Sequence, residues 1–172
     1  MEITFVRTAQ SKDRIYVHRD DGSETAWSFP SYGPELPHDL YHLIIESSLA
    51  ISDGIWARVA RGADLKRINA QANRTVGKLR DKYRGLGDDI DGVLLSEALV
   101  VAPWSRAAGE SELLAAVREA IAAADISRPV DITAAAITAT RSRLDEMRQR
   151  WRALGAQGSL RFAFPGGELL EP

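Results

Sequence analysis

The hydrophobic pattern of this chain changes its period at a proline-rich segment, residues 30–37, and that change limits the folds it can adopt. Before this segment apolar and polar residues alternate, as Ile3 and Phe5 do with Glu2 and Thr4. Two further β-rich runs, residues 15–18 and 25–29, flank an Asp-Gly step that suits a tight hairpin turn. The first thirty residues therefore predict an antiparallel meander of three strands.

After the proline-rich segment, apolar residues recur at helical spacing over most of the chain. Gly155 and Gly158 end the last helical stretch, and Leu160, Phe162 and Phe164 then alternate with polar or small residues. We expect this fourth strand to return to the N-terminal sheet. The predicted fold class is α+β: a small antiparallel sheet, formed by the N-terminal meander plus the C-terminal strand, packed with several helices. The predicted helices span residues 38–51, 54–61, 64–84, 92–101, 110–124 and 131–154.

Composition narrows the class of protein. With 172 residues, 45% of them hydrophobic and 27% charged, the chain is predicted to form a single globular domain, residues 1–172. A net charge of −2 speaks against a dominant polycationic nucleic-acid binder, and the lack of cysteine excludes disulfides, thiolate zinc sites and cysteine nucleophiles. The N-terminus lacks the pattern of a signal peptide, and the longest apolar stretch, residues 40–51, contains His42 and Glu46. We therefore expect a cytoplasmic protein that does not span a membrane.

One short motif carries chemistry. Two of the three histidines lie in the segment His38-Asp39-Leu40-Tyr41-His42, at the start of a predicted helix. Residues i and i+4 share one helix face, so His38 and His42 can both reach a single ion, zinc or another divalent metal. Asp39 is the nearest candidate catalytic base, and the motif differs by one methylene from the H-E-x-x-H of zincin-type metallohydrolases. The motif predicts a metal site and, where that site is catalytic, a metal-dependent hydrolase.

The same helix geometry gives the neighbouring carboxylate a different role. Glu46 lies two turns beyond His38, about 12 Å along the helix axis, which is too far for both residues to bind one ion. We expect Glu46 to contact a metal-binding residue or another charge instead of the metal. The helix dipole is expected to keep His38 neutral. A third ligand must come from another element, and the sequence leaves four candidates open: His18, Asp64, Glu97 and Asp145.

The motif region resembles a family of uncharacterised bacterial proteins with an LPHDLxHxxxE helix. Here that pattern begins at Leu36 and continues through His42 to Glu46. The family has an N-terminal set of strands and a closing W-x-x-L…G-x-L-x-[FL] segment, which occurs here as residues 151–154 and 158–162. The resemblance covers most of the chain. It implies that the helix motif matters, and it implies no particular reaction.

The main alternative has no metal. The two histidines could hydrogen-bond loop carbonyls or Glu46, and the protein would then be a non-catalytic interaction or oligomerisation module. Exposed apolar seams on the 64–84 and 131–154 helices would favour that interpretation, whereas a pocket lined by both histidines would favour the metal site. Trp27, Phe29 and Tyr32 are expected to cover the sheet instead of walling a pocket.

Partners are only broadly limited by the sequence. Basic residues on the 64–84 and 131–154 helices are interpreted as solvated faces that pair with nearby carboxylates. Nucleic acid is therefore not an expected partner. A small-molecule or peptide substrate and a homo-oligomer both stay open.

Overall fold

The sheet is built from both ends of the chain. A computed structural model describes residues 1–8, 10–65, 79–86, 89–106 and 109–170, and its five antiparallel strands have the order β3-β2-β1-β4-β5. The strands are β1 (Glu2–Val6), β2 (Lys12–His18), β3 (Glu24–Pro30), β4 (Ser159–Ala163) and β5 (Leu169–Leu170). The meander and the returning fourth strand are confirmed. The strand β5 was not predicted, because two residues are too few to show an alternating pattern.

Strand β1 lies at the centre of the sheet and joins the two chain ends. Thr4 lies opposite Tyr16 of β2 on one side and opposite Arg161 of β4 on the other. The N-terminal ammonium group of Met1 donates a hydrogen bond of 3.0 Å to the carbonyl of Phe164. The N-terminal and C-terminal segments are therefore parts of one folded unit.

Helices cover one face of this sheet. They are α1 (His38–Ser48), α2 (Ile55–Ala60), α3 (Leu79–Tyr83), α4 (Asp91–Val100), α5 (Glu110–Ala123) and α6 (Ala134–Ala153), with a 3₁₀ turn (Arg84–Leu86) after α3. Five of the six predicted helices match α1, α2, α4, α5 and α6 to within a few residues. The sixth prediction, 64–84, falls largely on residues 66–78, which lie outside the described part of the chain. Together these elements confirm the α+β class.

The core forms between the inward face of the sheet and α1. Ile3, Phe5 and Ile15 have no exposed surface, because alternation along β1 and β2 directs every second side chain toward the helices. The Phe5 ring makes edge-on contacts with Trp56 at 5.9 Å and Phe162 at 6.0 Å between ring centroids. Helix α1 contacts α2, α4 and α6 as well. It is buried along most of its length, and its first turn reaches the surface.

A helix that crosses a membrane must be both long and apolar. Among the helices that the structure describes, none is both long and apolar enough to cross a bilayer. The longest, α6, has 20 residues and carries charged side chains along its outer face.

Candidate metal centre

His38 and His42 lie one turn apart on α1, and their rings contact each other. The ring centroids are 4.7 Å apart and the ring planes meet at 72°. The side chain of His38, the first residue of the helix, is 54% exposed, whereas that of His42 is 2% exposed. The pair therefore runs from solvent into the core.

A third side chain reaches this pair from α4, which packs against α1. Oε1 of Glu97 lies 3.6 Å from Nε2 of His42. His38, His42 and Glu97 each offer one ligand atom such that all three atoms lie within 4.8 Å of one another. Glu97 is one of the four residues that the sequence offers as a third metal ligand. The packing of α4 on α1 brings it to the histidines.

The other candidate ligands lie elsewhere. His18 ends β2 on the outer, exposed side of the sheet, away from the helices. Asp145 forms an ion pair with Arg148 on α6. Asp64 does not belong to the group of ligand atoms around the two histidines. Of the described residues that the sequence proposed, Glu97 alone joins the histidine pair.

Ser96 connects His42 to Glu46. Its Oγ lies 2.7 Å from Nδ1 of His42, and its hydroxyl donates a 2.7 Å hydrogen bond to Oε1 of Glu46. With the hydroxyl proton directed to an ionised Glu46, the Ser96 oxygen can accept the Nδ1 proton of His42. This chain of hydrogen bonds favours the neutral imidazole tautomer whose lone pair is on Nε2, the nitrogen that faces Glu97.

The carboxylate of Glu46 is held by the start of α2. Oε1 accepts a hydrogen bond from the backbone N–H of Ile55 and Oε2 accepts one from that of Trp56, both at 2.9 Å. Burial raises the pKa of Glu46 to about 7, although these hydrogen bonds and that of Ser96 act in the opposite direction. Glu46 thus contacts Ser96 and the backbone of α2, and its position is set by both.

Nε2 of His42 is a buried nitrogen with no hydrogen-bond partner among the described residues. Burial lowers the pKa of His42 to about 4, so the imidazole is neutral at pH 7. A buried polar atom without a partner costs free energy. Here the atom is a free lone pair that faces Glu97, with His38 beside it, which is the arrangement that a metal ion would satisfy.

Asp39 contacts both His38 and β3. Its Oδ2 accepts a hydrogen bond of 3.1 Å from the indole N–H of Trp27, and its Oδ1 lies 3.9 Å from Nδ1 of His38. Burial acts to raise the pKa of Asp39, but the interactions with His38 and Trp27 outweigh it and hold the pKa below its ordinary value. The same carboxylate raises the pKa of His38, which opposes the effect of the helix dipole, and the neutrality of His38 at pH 7 stays a prediction. The catalytic role of Asp39 stays a prediction.

Sequence reasoning missed two residues that complete the site. One is Ser96, and the other is Tyr83, whose hydroxyl donates a hydrogen bond to Oε1 of Glu97. Ser96 carries a weak signal, because it is a fully buried serine beside Glu97 in an otherwise apolar helix segment. Tyr83 carries none, since only the packing of α3 near α4 brings it to the carboxylate.

A cleft of about 540 Å³ opens in front of these groups. His38, His42 and Glu97 line it, as do Trp27, Phe29 and Tyr32. The structure therefore places these three aromatic residues in the wall of the cleft, contrary to the expectation that they only cover the sheet. A concave site that contains both histidines is the feature that favours the metal hypothesis over an interaction module.

No protein-family model, curated protein or solved structure matches this chain. The resemblance to proteins with an LPHDLxHxxxE helix therefore stays a prediction. What the described residues establish is an α+β fold with a histidine–histidine–glutamate group at the wall of a cleft.

Proposed function

We propose that this protein binds a divalent metal ion, zinc foremost, through His38, His42 and Glu97. The observation that carries this proposal is the buried lone pair of His42 Nε2, which lacks a partner among the described residues and points toward the other two ligand atoms. Two imidazole nitrogens and one carboxylate form a donor set that zinc accepts readily. A neutral imidazole at pH 7 is the form that binds a metal.

The distances suit such an ion. Zinc bonds of about 2.0–2.1 Å in a tetrahedral arrangement place ligand atoms roughly 3.4 Å apart. The separation of 3.6 Å between His42 Nε2 and Glu97 Oε1 is close to that value. The other separations in the group, which involve the half-exposed His38, are all within 4.8 Å. A small movement of His38 would close the group around one ion.

Contacts behind the ligands support the same role. Metal-binding histidines commonly donate their second ring N–H to a carboxylate, a carbonyl or a water, which fixes the ring and raises its basicity. His42 has this support through Ser96 and Glu46, and His38 has Asp39 beside its Nδ1. Tyr83 donates to Glu97 in the same way. Each proposed ligand therefore has a neighbour that orients it.

We propose hydrolysis as the chemistry of this centre. Three protein ligands leave a coordination position for water, and that position would face the cleft. A metal ion lowers the pKa of a bound water and so supplies a nucleophile near neutral pH. Asp39 is the nearest candidate base. Because its pKa lies below the ordinary value, the larger part of the activation would fall to the metal.

The interaction-module alternative has less support in the described part of the chain. The apolar residues of α6, including Ile137, Leu144 and Met147, are buried against the rest of the molecule. The seam predicted for residues 64–84 lies mostly outside the described residues. Among the described residues, the exposed large hydrophobic side chains are separate in sequence: Tyr16 in β2, Tyr32 in the loop after β3 and Val101 just after α4.

Metal titration tests the proposal directly. We expect the untagged protein, stripped with a chelator, to bind one zinc ion by calorimetry and to melt at a higher temperature with zinc than with chelator. His42→Ala should lose at least about a hundredfold in zinc affinity, because a ligand is removed. His18→Ala is the matched control, since His18 lies on the outer side of the sheet and should change nothing.

A second variant covers the case in which His42→Ala fails to fold. Glu97→Gln keeps the size of the side chain and can still accept the hydrogen bond from Tyr83, so it should fold and yet bind zinc more weakly. The proposal is overturned by a wild-type protein whose melting temperature is the same with zinc and with chelator. Equal zinc affinity in the wild type and Glu97→Gln would exclude Glu97 from the ligand set.

A further inference from the structure

The cleft beside the candidate metal centre has one aromatic wall. Trp27 and Phe29 point inward from β3, and Tyr32 follows in the loop that leads to α1. Tyr32 is 51% exposed although it lines a concave site. Three aromatic side chains from a six-residue segment offer flat apolar surface to a ligand in the cleft.

The cleft also contains a lysine, which comes from a different element than the three aromatic residues. Lys82 on α3 lines the cleft and makes no ion pair or hydrogen bond with any residue that the structure describes. Among the described residues that line the cleft, the carboxylates are those of Asp39 and Glu97. Their two negative charges against one lysine would repel an anion, whereas a bound divalent ion makes the sum positive.

We propose that the cleft binds a small molecule that combines a flat ring with an anionic group, a carboxylate or a phosphate. The ring stacks on the aromatic wall, and the anion lies between Lys82 and the metal ion. The volume of about 540 Å³ falls within the range of small-molecule sites. This inference rests on the proposed metal centre, because a bound divalent ion changes the summed charge of Asp39, Glu97 and Lys82 from negative to positive.

Four simple probes separate the two parts of this proposal. Benzoate and phenyl phosphate carry both a ring and a charge, benzyl alcohol carries only the ring, and acetate carries only the charge. We expect benzoate or phenyl phosphate to bind the zinc-loaded protein at least tenfold more tightly than benzyl alcohol or acetate, as measured by calorimetry. Comparison of benzoate with phenyl phosphate then decides between a carboxylate and a phosphate.

Matched variants test each wall. Lys82→Gln should weaken binding of the charged ring probes about tenfold and leave benzyl alcohol unchanged, whereas Lys12→Gln on the outer face of the sheet should have no effect. Tyr32→Ala should weaken every ring probe. Its control is Tyr16→Ala, because Tyr16 is similarly exposed, at 43%, but lies on the outer face of the sheet.

The outcomes distinguish this inference from the metal proposal. Zinc should increase the affinity for benzoate or phenyl phosphate and leave that for benzyl alcohol unchanged. Zinc binding without any preference for charged rings, or with equal effects of Lys82→Gln and Lys12→Gln, overturns the ligand inference and leaves the metal centre intact. A protein that binds no zinc overturns the metal proposal and this inference with it.

Discussion

The buried polar residues around Glu46 form a connected set in which each member has a specific partner. Glu46 accepts hydrogen bonds from the Ser96 hydroxyl and from two backbone N–H groups of α2, and Ser96 also contacts His42. In a low-dielectric interior, satisfied groups of this kind hold side chains in one position, and the loss of one member leaves the others unpaired. The consequences should therefore be measurable one residue at a time.

Removal of the Ser96 hydroxyl should affect both the fold and the metal. In Ser96→Ala, Nδ1 of His42 and Oε1 of Glu46 lose a partner in a buried site, so we expect the free energy of unfolding to fall by about 1–3 kcal/mol. Zinc affinity should fall about 10- to 100-fold, because His42 is no longer oriented. Urea denaturation with chelator and zinc calorimetry measure the two effects.

Ser48→Ala is the control for this variant. The Ser48 hydroxyl is also buried but has no hydrogen-bond partner among the described residues, so its removal breaks no hydrogen bond and should not lower the free energy of unfolding. Equal losses in the two serine variants would mean that the contact of Ser96 with His42 and Glu46 contributes nothing.

The buried carboxylate of Glu46 leaves no room for a side chain at Gly54. A Cβ at Gly54 would lie 2.4 Å from the carboxyl carbon of Glu46, which cannot move away without breaking its hydrogen bonds to α2. We expect Gly54→Ala to lower the free energy of unfolding by about 1–3 kcal/mol. Gly54 and Gly109 are both N-caps, of α2 and α5, and a Cβ at Gly109 meets no described residue within 4 Å. Gly54→Ala and Gly109→Ala share any general cost of alanine at a helix cap, so a lower urea denaturation midpoint for Gly54→Ala measures the clash with Glu46. Equal midpoints for the two variants would contradict the clash.

The sequence predicts the parts of the site that lie within one helix better than the parts that come from two different helices. The pairing of His38 with His42 follows from helical spacing, and so does the exclusion of Glu46 from the same ion, because both are local properties of α1. The choice of Glu97 among four candidates, and the contribution of Ser96, depend on how α4 lies against α1. Spacing within one helix contains no information on that contact.

At the scale of elements, α1 carries two buried groups with opposite pKa shifts, one turn apart on the helix that packs against α4. Burial lowers the pKa of His42 to about 4 and raises that of Glu46 to about 7. Between about pH 4 and 6.5 the unfolded chain binds a proton at His42 that the folded chain does not, so this group makes the folded state more stable as the pH rises. Between about pH 4.5 and 7 the folded chain holds a proton at Glu46 that the unfolded chain loses, so this group has the opposite effect.

Replacement of Glu46 should therefore expose the contribution of His42. In Glu46→Gln, measured with chelator, the free energy of unfolding should rise between pH 4 and 6.5 more steeply than in the wild type, by up to about 3 kcal/mol over that range. The control is Glu146→Gln, because Glu146 lies half exposed on α6 and should leave the wild-type profile unchanged. Urea denaturation at several pH values measures the profiles. Parallel profiles for the wild type and Glu46→Gln would contradict opposing contributions from the pair.

Over the whole molecule, the sheet positions the site although it supplies none of the proposed ligands. Strand β3 carries Trp27, which holds Asp39, and the loop after it leads directly into His38. The position of β3 depends in turn on β2 and on the central strand β1. The return of the C-terminal strand to the N-terminal sheet could be predicted from alternation. Its pairing with β1 and its register could not, because alternation fixes only which face each residue occupies.

An engineered disulfide tests that register. Met1 and Phe164 exchange two hydrogen bonds, so alternation makes Thr4 and Arg161 a non-hydrogen-bonded pair, with Cα atoms about 4.5 Å apart. This spacing suits a disulfide, and the chain has no other cysteine to compete. We expect Thr4→Cys with Arg161→Cys to oxidise readily and to increase the free energy of unfolding by about 3–5 kcal/mol relative to its reduced form, since the bond closes most of the chain into one loop.

The register-shifted pair Thr4→Cys with Ala163→Cys is the control. Ala163 lies opposite Glu2, on the same face of the sheet as Thr4 but two residues farther along β4. The Cα separation for such a diagonal pair is about 7–8 Å, beyond the reach of an unstrained disulfide. Mass spectrometry after mild oxidation should therefore show the crosslink in the first pair and free thiols in the second. If both pairs crosslink equally, the β1–β4 register is not the one described; a crosslink in the first pair alone fixes the two chain ends in the arrangement that supports β2, β3 and the cleft.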